Sequence, residues 1–412
     1  MKLGKEKKDN ISENGMENKD SSSESGMEKK GKKSRYWRFI LVLLACTAVL
    51  NLLGCFPAVC DLYKLTVYGL ISDALGLLTG WIPVAVGELL AAAGALAVLV
   101  FVVLLALLIF LRKKAGFRRF VGNYAKGLLL TVVLILFIYT LNWILPFRAT
   151  ILKVKGATER EYSILEVQNV RNHLAEMLNA CAEEVPRDES GRVIYDKKAQ
   201  TKAVFEAMKA QAGEYPILLG YYPPIKDALC SDLLEWMNIG GYTYPYTMEI
   251  TWNRYCDELY YPTLLAHEAS HHQGYYQENE ANFIAFLACT HSEDPVVRYS
   301  GYQDFYEYVN GAYVSTLFAT LGREAAITEY REQVQISEQV STDIEQAIAA
   351  SQELYESVSH PAESLSDEAT KVADVGWQVQ GDLLQENSYH GVVKMILEYY
   401  DVLMKGDLTH GF

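Results

Sequence analysis

The sequence predicts a mainly α-helical protein in which three transmembrane helices precede a soluble domain of helices with one small β-sheet. Three observations lead to this fold class. Three long apolar runs, each able to cross a bilayer, lie before residue 147. After them, apolar residues recur mostly at helical spacing. One stretch, residues 242–253, is instead rich in Tyr, Thr, Ile and Trp, which predicts extended chain.

The N-terminal region divides into a polar tail and a membrane domain. Residues 1–34 hold almost no large apolar side chain, which predicts a disordered tail. The membrane domain, residues 35–147, contains the predicted transmembrane helices at about 39–56, 89–111 and 128–145. Residues 57–80 are too polar and broken to form a span. We expect them to lie in the membrane interface or to pack under the soluble domain, residues 148–412.

Basic residues flank the predicted spans unevenly. The tail and the loop between the second and third spans carry clusters of Lys and Arg, whereas the loop between the first two spans has only Lys64. The positive-inside rule therefore places the N-terminus in the cytoplasm and the soluble domain on the outer face of the cell membrane. The lipid bilayer is thus one predicted partner.

The charge and cysteine content argue against nucleic-acid binding and against a structural zinc cluster. Residues 148–412 contain 19 basic and 41 acidic side chains, so the soluble domain lacks the basic footprint of a nucleic-acid-binding protein. The seven cysteines include no CxxC pair, which argues against a structural zinc cluster.

Apolar periodicity predicts most of the soluble domain to be helical. Before the extended stretch, the predicted helices cover residues 158–184, 197–213 and 226–237. After Asn282, they cover residues 295–321, 324–359, 366–384 and 392–404.

The most informative motif is HExxH, formed by His267, Glu268 and His271. Two imidazoles four residues apart project from the same face of an α-helix, which suits two corners of a tetrahedral Zn²⁺ site. Glu268 lies beside them and is the predicted catalytic base for a water molecule. Gly274 is free to adopt a left-handed conformation and predicts the end of this helix.

A catalytic zinc site needs a third protein ligand, and two glutamates follow the turn. Glu278 and Glu280 lie about 200° apart around a helix, so both cannot ligate one ion. We favour Glu278, because Asn282 shares its face and could orient a ligand. Glu280 is then predicted to lie beside the ligands. His272 is predicted to lie either beside the ligands or facing solvent. The metzincin pattern is excluded, since Gln277 occupies the position of its third histidine.

The segment from Glu278 to Asn282 resembles the ExxAD/ExxAN element of gluzincin-type peptidases, in which the first Glu is the third metal ligand. The interval from His271 is shorter here than in those families. The chain is also similar, over most of its length, to the bacterial membrane proteins of the domain-of-unknown-function 3810 family. The residues that carry this similarity are HExxHxxG with the following ENEANF, Gly241 to Glu249, Tyr299 to Tyr302, and Ser388-Tyr389. The resemblance implies a zincin-like α+β catalytic domain.

Two further sets of residues are candidates for substrate contact. An edge strand upstream of a zinc-binding helix can pair with an extended substrate, and residues 248–252 are the candidate strand, with Met248, Glu249 and Ile250 as the predicted substrate contacts. The alternative is an internal strand of a hairpin without a substrate role. Tyr389 is the favoured donor to the oxyanion of hydrolysis. His390, Tyr299 and Tyr302 are alternatives.

Together these features predict a membrane-anchored zinc metallopeptidase that cleaves a peptide or protein substrate. The alternative hypothesis is a zinc-binding membrane protein without hydrolytic activity, acting as a sensor or scaffold. The presence of Glu268 favours the enzyme, because a structural zinc site needs no base. The sequence contains no GxSxG motif, which argues against a serine nucleophile.

Overall fold

A computed structural model describes residues 17–358, 366, 371, 388–409 and 412, with side chains described from residue 35 and, in the last helix, from residue 391. The chain forms two compact units. The first contains the described residues up to Leu52 together with Val98–Thr140, and the second contains Leu53–Ala97 and the described residues from Leu141 onwards. The boundary thus differs from the predicted one at residue 147, because residues 53–97 pack with the C-terminal part of the chain.

The first unit is formed by most of α1 (Glu17–Leu53), the second half of α4 (Val86–Leu111) and α5 (Ala115–Tyr139). Two polar contacts join its helices. The Tyr36 hydroxyl donates to the Lys126 carbonyl at 2.7 Å, and Asn51 Nδ2 donates to Thr140 Oγ1 at 3.0 Å.

Among the residues that the structure describes, three helical segments are long and apolar enough to cross a membrane. They are Arg35–Leu53, Val86–Leu111 and Ala115–Phe147. Three spans were predicted, and the third begins earlier than predicted because the basic residues before it already belong to α5. The backbone of residues 17–34 is helical, whereas the sequence predicts a disordered tail. A helix that is already nucleated extends at little cost, which accounts for this difference.

The second unit contains the remaining elements. Its helices are α2 (Pro57–Tyr63), α3 (Gly69–Gly80), the first half of α4, α6 (Leu145–Phe147), α7 (Ile164–Glu184), α8 (Lys197–Ala210), α9 (Ser231–Trp236), α10 (Tyr261–His272), α11 (Glu278–Thr290), α12 (Pro295–Leu321), α13 (Arg323–Glu332), α14 (Glu338–Glu356) and α15 (Ser388–Leu403). Its strands are β1 (Lys226–Asp227), β2 (Gly241–Tyr244) and β3 (Glu249–Trp252). A π-helical turn, Lys64–Tyr68, joins α2 to α3. The predicted class, mainly α with a small sheet, is confirmed.

Capping side chains determine several helix boundaries. Ser163 and Glu166 form a capping box at the start of α7, so this helix begins later than predicted. The predicted helix over residues 324–359 is two helices, because the Ser337 side chain accepts a hydrogen bond from Val340 N and starts α14. The predicted helix over 366–384 lies mostly outside the described residues.

The sheet has the order β1-β3-β2, with β3 parallel to β1 and antiparallel to β2. The prediction that residues 248–252 form an edge strand is therefore wrong. The missing partner was β1, whose two residues the sequence predicts as the start of a helix. The edge strands of this sheet are β1 and β2, one on each side of β3.

The main core lies among α7, α8, α10, α11, α12 and α15. Large side chains such as Leu174, Phe283, Phe286 and Phe305 are fully buried there. This packing holds α10 and α11 against each other, and their facing ends carry the candidate site.

Candidate metal centre

The HExxH motif lies on α10, whose ends are fixed by local sequence. Pro262 occupies the first turn, where its missing N–H costs nothing. Gly274 ends the helix with φ +99°, and a Cβ there would come within 2.9 Å of the Tyr68 ring. Glycine is thus required by both conformation and space. The chain then reverses, as predicted, and Tyr275 N donates to Ser270 O at 2.9 Å.

The reversal brings the first residue of α11 opposite the two histidines. His267 Nε2 lies 3.2 Å from Glu278 Oε2, and His271 Nε2 lies 3.7 Å from Glu278 Oε1. One ligating atom from each of the three residues lies within 4.8 Å of the others. Ligands about 2.1 Å from a tetrahedral zinc ion are about 3.4 Å apart. The two distances to Glu278 bracket this value, so the donor set fits a zinc ion.

The other ring nitrogens of both histidines are held by neighbouring groups. His267 Nδ1 lies 2.7 Å from Asn282 Oδ1, and His271 Nδ1 lies 2.7 Å from the Tyr275 carbonyl oxygen. Because a carbonyl oxygen only accepts, His271 Nδ1 carries the proton and its Nε2 has a free lone pair. Contacts of this kind orient imidazoles that bind metals.

The three groups shift one another's pKa values. Burial alone would raise the pKa of Glu278, but the neighbouring His271 and His267 lower it to about 2. Burial opposes protonation of His267, yet its hydrogen bond to Glu278 and the charge of that carboxylate raise its pKa to about 9. Burial lowers the pKa of His271 to about 4. An ionised carboxylate thus attracts a cation to this point, and a proton on His267 occupies the place of a metal ion.

Glu268 lies on the same helix and is almost completely buried. Burial, followed by the charge of Glu278, raises its pKa to about 7, although the charge of His267 opposes this. The Thr243 hydroxyl lies 3.1 Å from Glu268 Oε2 and 2.8 Å from the Glu268 carbonyl oxygen. A carboxyl group with a pKa near neutrality can both accept and return a proton. Thr243 was missed in the sequence, although it lies in the segment from Gly241 to Glu249 that carries the family similarity, because nothing in that segment distinguishes it from the neighbouring Tyr residues.

Glu280 faces away from the histidines. Its carboxylate accepts a hydrogen bond from Leu152 N, and the charge of Lys64 acts on it. The prediction that Glu280 lies around the ligands is therefore wrong. The structure brings Glu278, rather than Glu280, to the imidazoles.

His272 is fully buried, and its Nδ1 donates to the Met248 carbonyl oxygen at 2.9 Å. It therefore links α10 to the chain before β3. Of its two predicted positions, the one facing solvent is excluded. Burial lowers the pKa of this imidazole to about 4, so it is neutral at physiological pH.

Met248, Glu249 and Ile250, which we predicted to bind substrate, are no more than 1 % exposed. Glu249 forms a buried ion pair with Lys226 and accepts hydrogen bonds from the first backbone N–H groups of α4. These residues join the sheet to α4, so the prediction of substrate contact is corrected. Strand β2, which contains Thr243, is instead the edge strand beside α10.

The candidate oxyanion donors lie in different places. Tyr389 and His390 belong to the first turn of α15, and their side chains lie outside the described residues. The next residue, Gly391, lies so close to Asn279 that an added Cβ would be 3.0 Å from the Asn279 Cβ. The start of α15 is thus packed beside the start of α11. Tyr299 donates to Asp343 Oδ2 at 2.8 Å within the core.

Comparison with known proteins gave one match. A family model described as "Protein of unknown function (DUF3810)" matches residues 63–396, which is more than half of the chain. No curated protein gave a significant match. No solved structure gave one either.

Proposed function

The chain belongs to this family, and we propose that it is a membrane-anchored zinc metallopeptidase with its active site at the corner between α10 and α11. The observation that carries the proposal is the meeting of two imidazole Nε2 atoms with the Glu278 carboxylate, at separations that fit zinc ligands. The three apolar helical segments support the membrane anchor. The distribution of basic residues supports an extracytoplasmic position for residues 148–412.

In this proposal, His267, His271 and Glu278 hold the zinc ion. Zinc bound there supplies a Lewis acid, which polarises a carbonyl group and makes a water molecule more acidic. Glu268 takes the proton of the attacking water and transfers it to the leaving amine. The Thr243 hydroxyl holds its carboxylate in place.

Strand β2 is the element that fits an extended peptide. It lies beside α10, and a substrate backbone can add to the free side of an edge strand through main-chain hydrogen bonds. Binding of this kind depends on hydrogen bonds to the substrate backbone rather than on its side chains, so it suits a peptide or protein substrate.

The proposal is tested with the full-length protein and a peptide library, with and without a chelator. We expect chelator-sensitive cleavage, and a loss of at least about 100-fold in Glu268→Gln, because a positioned base contributes on that order or more. The zinc content of Glu268→Gln should equal that of the wild type. Glu280→Gln, which changes a nearby glutamate that faces away from the site, is the matched control and should retain activity.

Full activity in Glu268→Gln would contradict the assigned base. A wild-type protein that binds zinc stoichiometrically but cleaves no library peptide would favour a sensor or scaffold.

A further inference from the structure

Residues 57–81, which comprise α2, the π-helical turn, α3 and Trp81, form a layer that we call the floor segment. It belongs to the second unit, and one of its faces packs against the metal-binding helix α10. The fully buried Tyr68 hydroxyl lies 3.2 Å from the His271 carbonyl oxygen and 3.0 Å from that of His272. Gly76 lies against the His272 ring, with 3.1 Å between an added Cβ and Cε1.

Each charged side chain of the floor segment also contacts a part of the second unit outside this segment. Asp61 accepts hydrogen bonds from the backbone N–H and the hydroxyl of Thr150, both at 2.7 Å. The Lys64 ammonium lies 4.1 Å from the centre of the Tyr275 ring. Asp73 accepts a hydrogen bond from Tyr221 N at 3.1 Å. The charged groups are therefore gathered on the inner face.

The opposite face of the floor segment is apolar and exposed. The exposed side chains on it are Val59, Leu62, Leu65, Val67, Leu70, Leu77, Leu78 and Trp81. Leu70, Leu78 and Trp81 are 72, 65 and 78 % exposed. A contiguous apolar surface of this kind is rare on a protein surrounded by water and marks contact with a membrane or a partner.

The position of the floor segment in the chain identifies the bilayer as the occupant of this face. The first candidate span ends at Leu53, just before the floor segment, and the second begins at Val86, just after it. A segment tied at both ends to membrane spans stays at the bilayer surface. With its apolar face exposed and its charges turned inward, it is suited to immersion in the interfacial region.

This arrangement brings the metal centre close to the lipid. The hydroxyl of Tyr68 contacts the last turn of α10, which carries His271, so only the thickness of the floor segment separates that turn from the apolar face. A helix with its side chains is about 10 Å thick. Immersion of the apolar face would place the last turn of α10 roughly one helix diameter from the bilayer surface.

The candidate substrate strand β2 is also held at the membrane end of the second unit. The Tyr242 hydroxyl donates to Glu88 Oε1 at 2.5 Å, and Tyr244 lies against Gly87, where an added Cβ would come within 2.4 Å of the ring. Gly87 and Glu88 belong to the first turn of the span helix α4. A peptide that pairs with β2 consequently runs beside the point where α4 begins its apolar run.

We infer that the substrate is a polypeptide tethered to the same membrane, which is cleaved within a few residues of the bilayer surface. This inference rests on the proposed hydrolytic function. Because both the end of α10 and strand β2 lie against segments at the membrane, a tethered chain reaches the site without leaving the surface. A freely diffusing peptide lacks this advantage.

The position of the floor segment is tested by site-specific photo-crosslinking of the full-length protein in phosphatidylcholine–phosphatidylglycerol vesicles. A benzophenone amino acid replaces Leu70 or Leu78, and replaces Ile194, which is 48 % exposed, as the matched control. Mass spectrometry should find lipid adducts at the two floor positions and none at the control. Adducts to a second copy of the chain, or no adducts at the floor positions, would contradict immersion in the bilayer.

The substrate class is tested in the same vesicles with one library peptide presented in three ways. In the first form the peptide is free. In the second it is joined to a lipid anchor by a linker of about 5 residues, which spans at most about 17 Å. In the third it is joined to the same anchor by a flexible linker of about 30 residues. We expect the short-linker peptide to be cleaved about tenfold faster than the other two, because its effective concentration is highest at the surface. Equal rates for both linkers, or faster cleavage of the long-linker or free form, would overturn the inference.

The two proposals fail in different ways. If no form of any peptide is cleaved, the hydrolytic function fails and the tethered substrate falls with it, while the crosslinks still locate the floor segment. If free peptides are cleaved as fast as tethered ones, the hydrolase stands and the tethered substrate is wrong. The Glu268→Gln variant provides the background rate in each case.

Discussion

Two polar clusters in the second unit, one fully buried and one partly buried, differ in how their carboxylates are satisfied. Glu249 receives an ammonium group from Lys226 and three further donors: Val86 N at 3.0 Å, Gly87 N at 2.7 Å and the Thr247 hydroxyl at 2.7 Å. This anchor cluster is neutral and hydrogen-bonded within the chain. It therefore has a structural role, which is to join the sheet to the span helix.

The metal corner, formed by His267, His271 and Glu278, is arranged differently. Its carboxylate faces two Nε2 atoms, and the other ring nitrogens are already held by Asn282 and the Tyr275 carbonyl. Balance of its charge requires a proton or a metal ion. The comparison shows that the partners of a carboxylate distinguish a structural cluster from a ligand set. Exposure differs as well, since the Glu278 side chain is 27 % accessible and that of Glu249 is 1 % accessible.

The largest expected effect on stability comes from breaking the anchor cluster. Glu249→Ala leaves the Lys226 ammonium buried without its counter-ion, and loss of one partner of a buried pair costs about 3–5 kcal/mol. Thermal unfolding of the full-length protein should show this loss with and without zinc. In the double variant Lys226→Met/Glu249→Leu, only part of the stability should return, because Val86 N, Gly87 N and the Thr247 hydroxyl still lose their acceptor. A Glu249→Ala protein as stable as the wild type would show that this cluster is not an anchor.

Asn282→Ala should have an intermediate effect and should act on the metal corner alone. Removal of a group that orients a metal-binding imidazole lowers metal affinity by about 10- to 100-fold. Zinc affinity is measured by competition with a chelator. The control is Asn279→Ala, whose side chain lies against Gly391 rather than against the imidazole. Equal affinity in both variants would contradict the role of Asn282.

The sequence was most informative where local geometry alone decides the structure. The four-residue spacing of His267 and His271, followed by Gly274, predicted two imidazoles on one face and a reversal of the chain, and the structure has both features. Spacing also showed that Glu278 and Glu280 point to different sides of α11. It could not show which side faces the histidines, because that depends on distant residues such as Leu152.

The sheet shows the limit of the same reasoning. Tyr, Thr, Ile and Trp predicted extended chain at the correct place, but the order of strands depends on pairing with residues far away in sequence. Lys226 and Asp227 form a two-residue strand, too short to leave a pattern, and they make β3 central. The contact between Glu249 and the start of α4 likewise joins residues more than 160 positions apart.

The smallest expected effect comes from Tyr68→Phe. The variant removes a buried hydroxyl that contacts the His271 and His272 carbonyl oxygens, and one hydrogen bond contributes about 1 kcal/mol to stability. We expect a modestly lower unfolding temperature with nearly unchanged zinc affinity. A fall in zinc affinity as large as in Asn282→Ala would mean that the floor segment positions the ligands directly.

The most direct test of the central claim is the zinc content of three full-length proteins purified under the same conditions: the wild type, Glu278→Gln and Glu280→Gln. The two variants make the same change two residues apart on one helix. We predict one zinc ion per chain in the wild type and in Glu280→Gln, and a loss of zinc in Glu278→Gln. A wild type without zinc, or a Glu278→Gln protein that keeps it, would contradict the assignment of this corner as a metal centre.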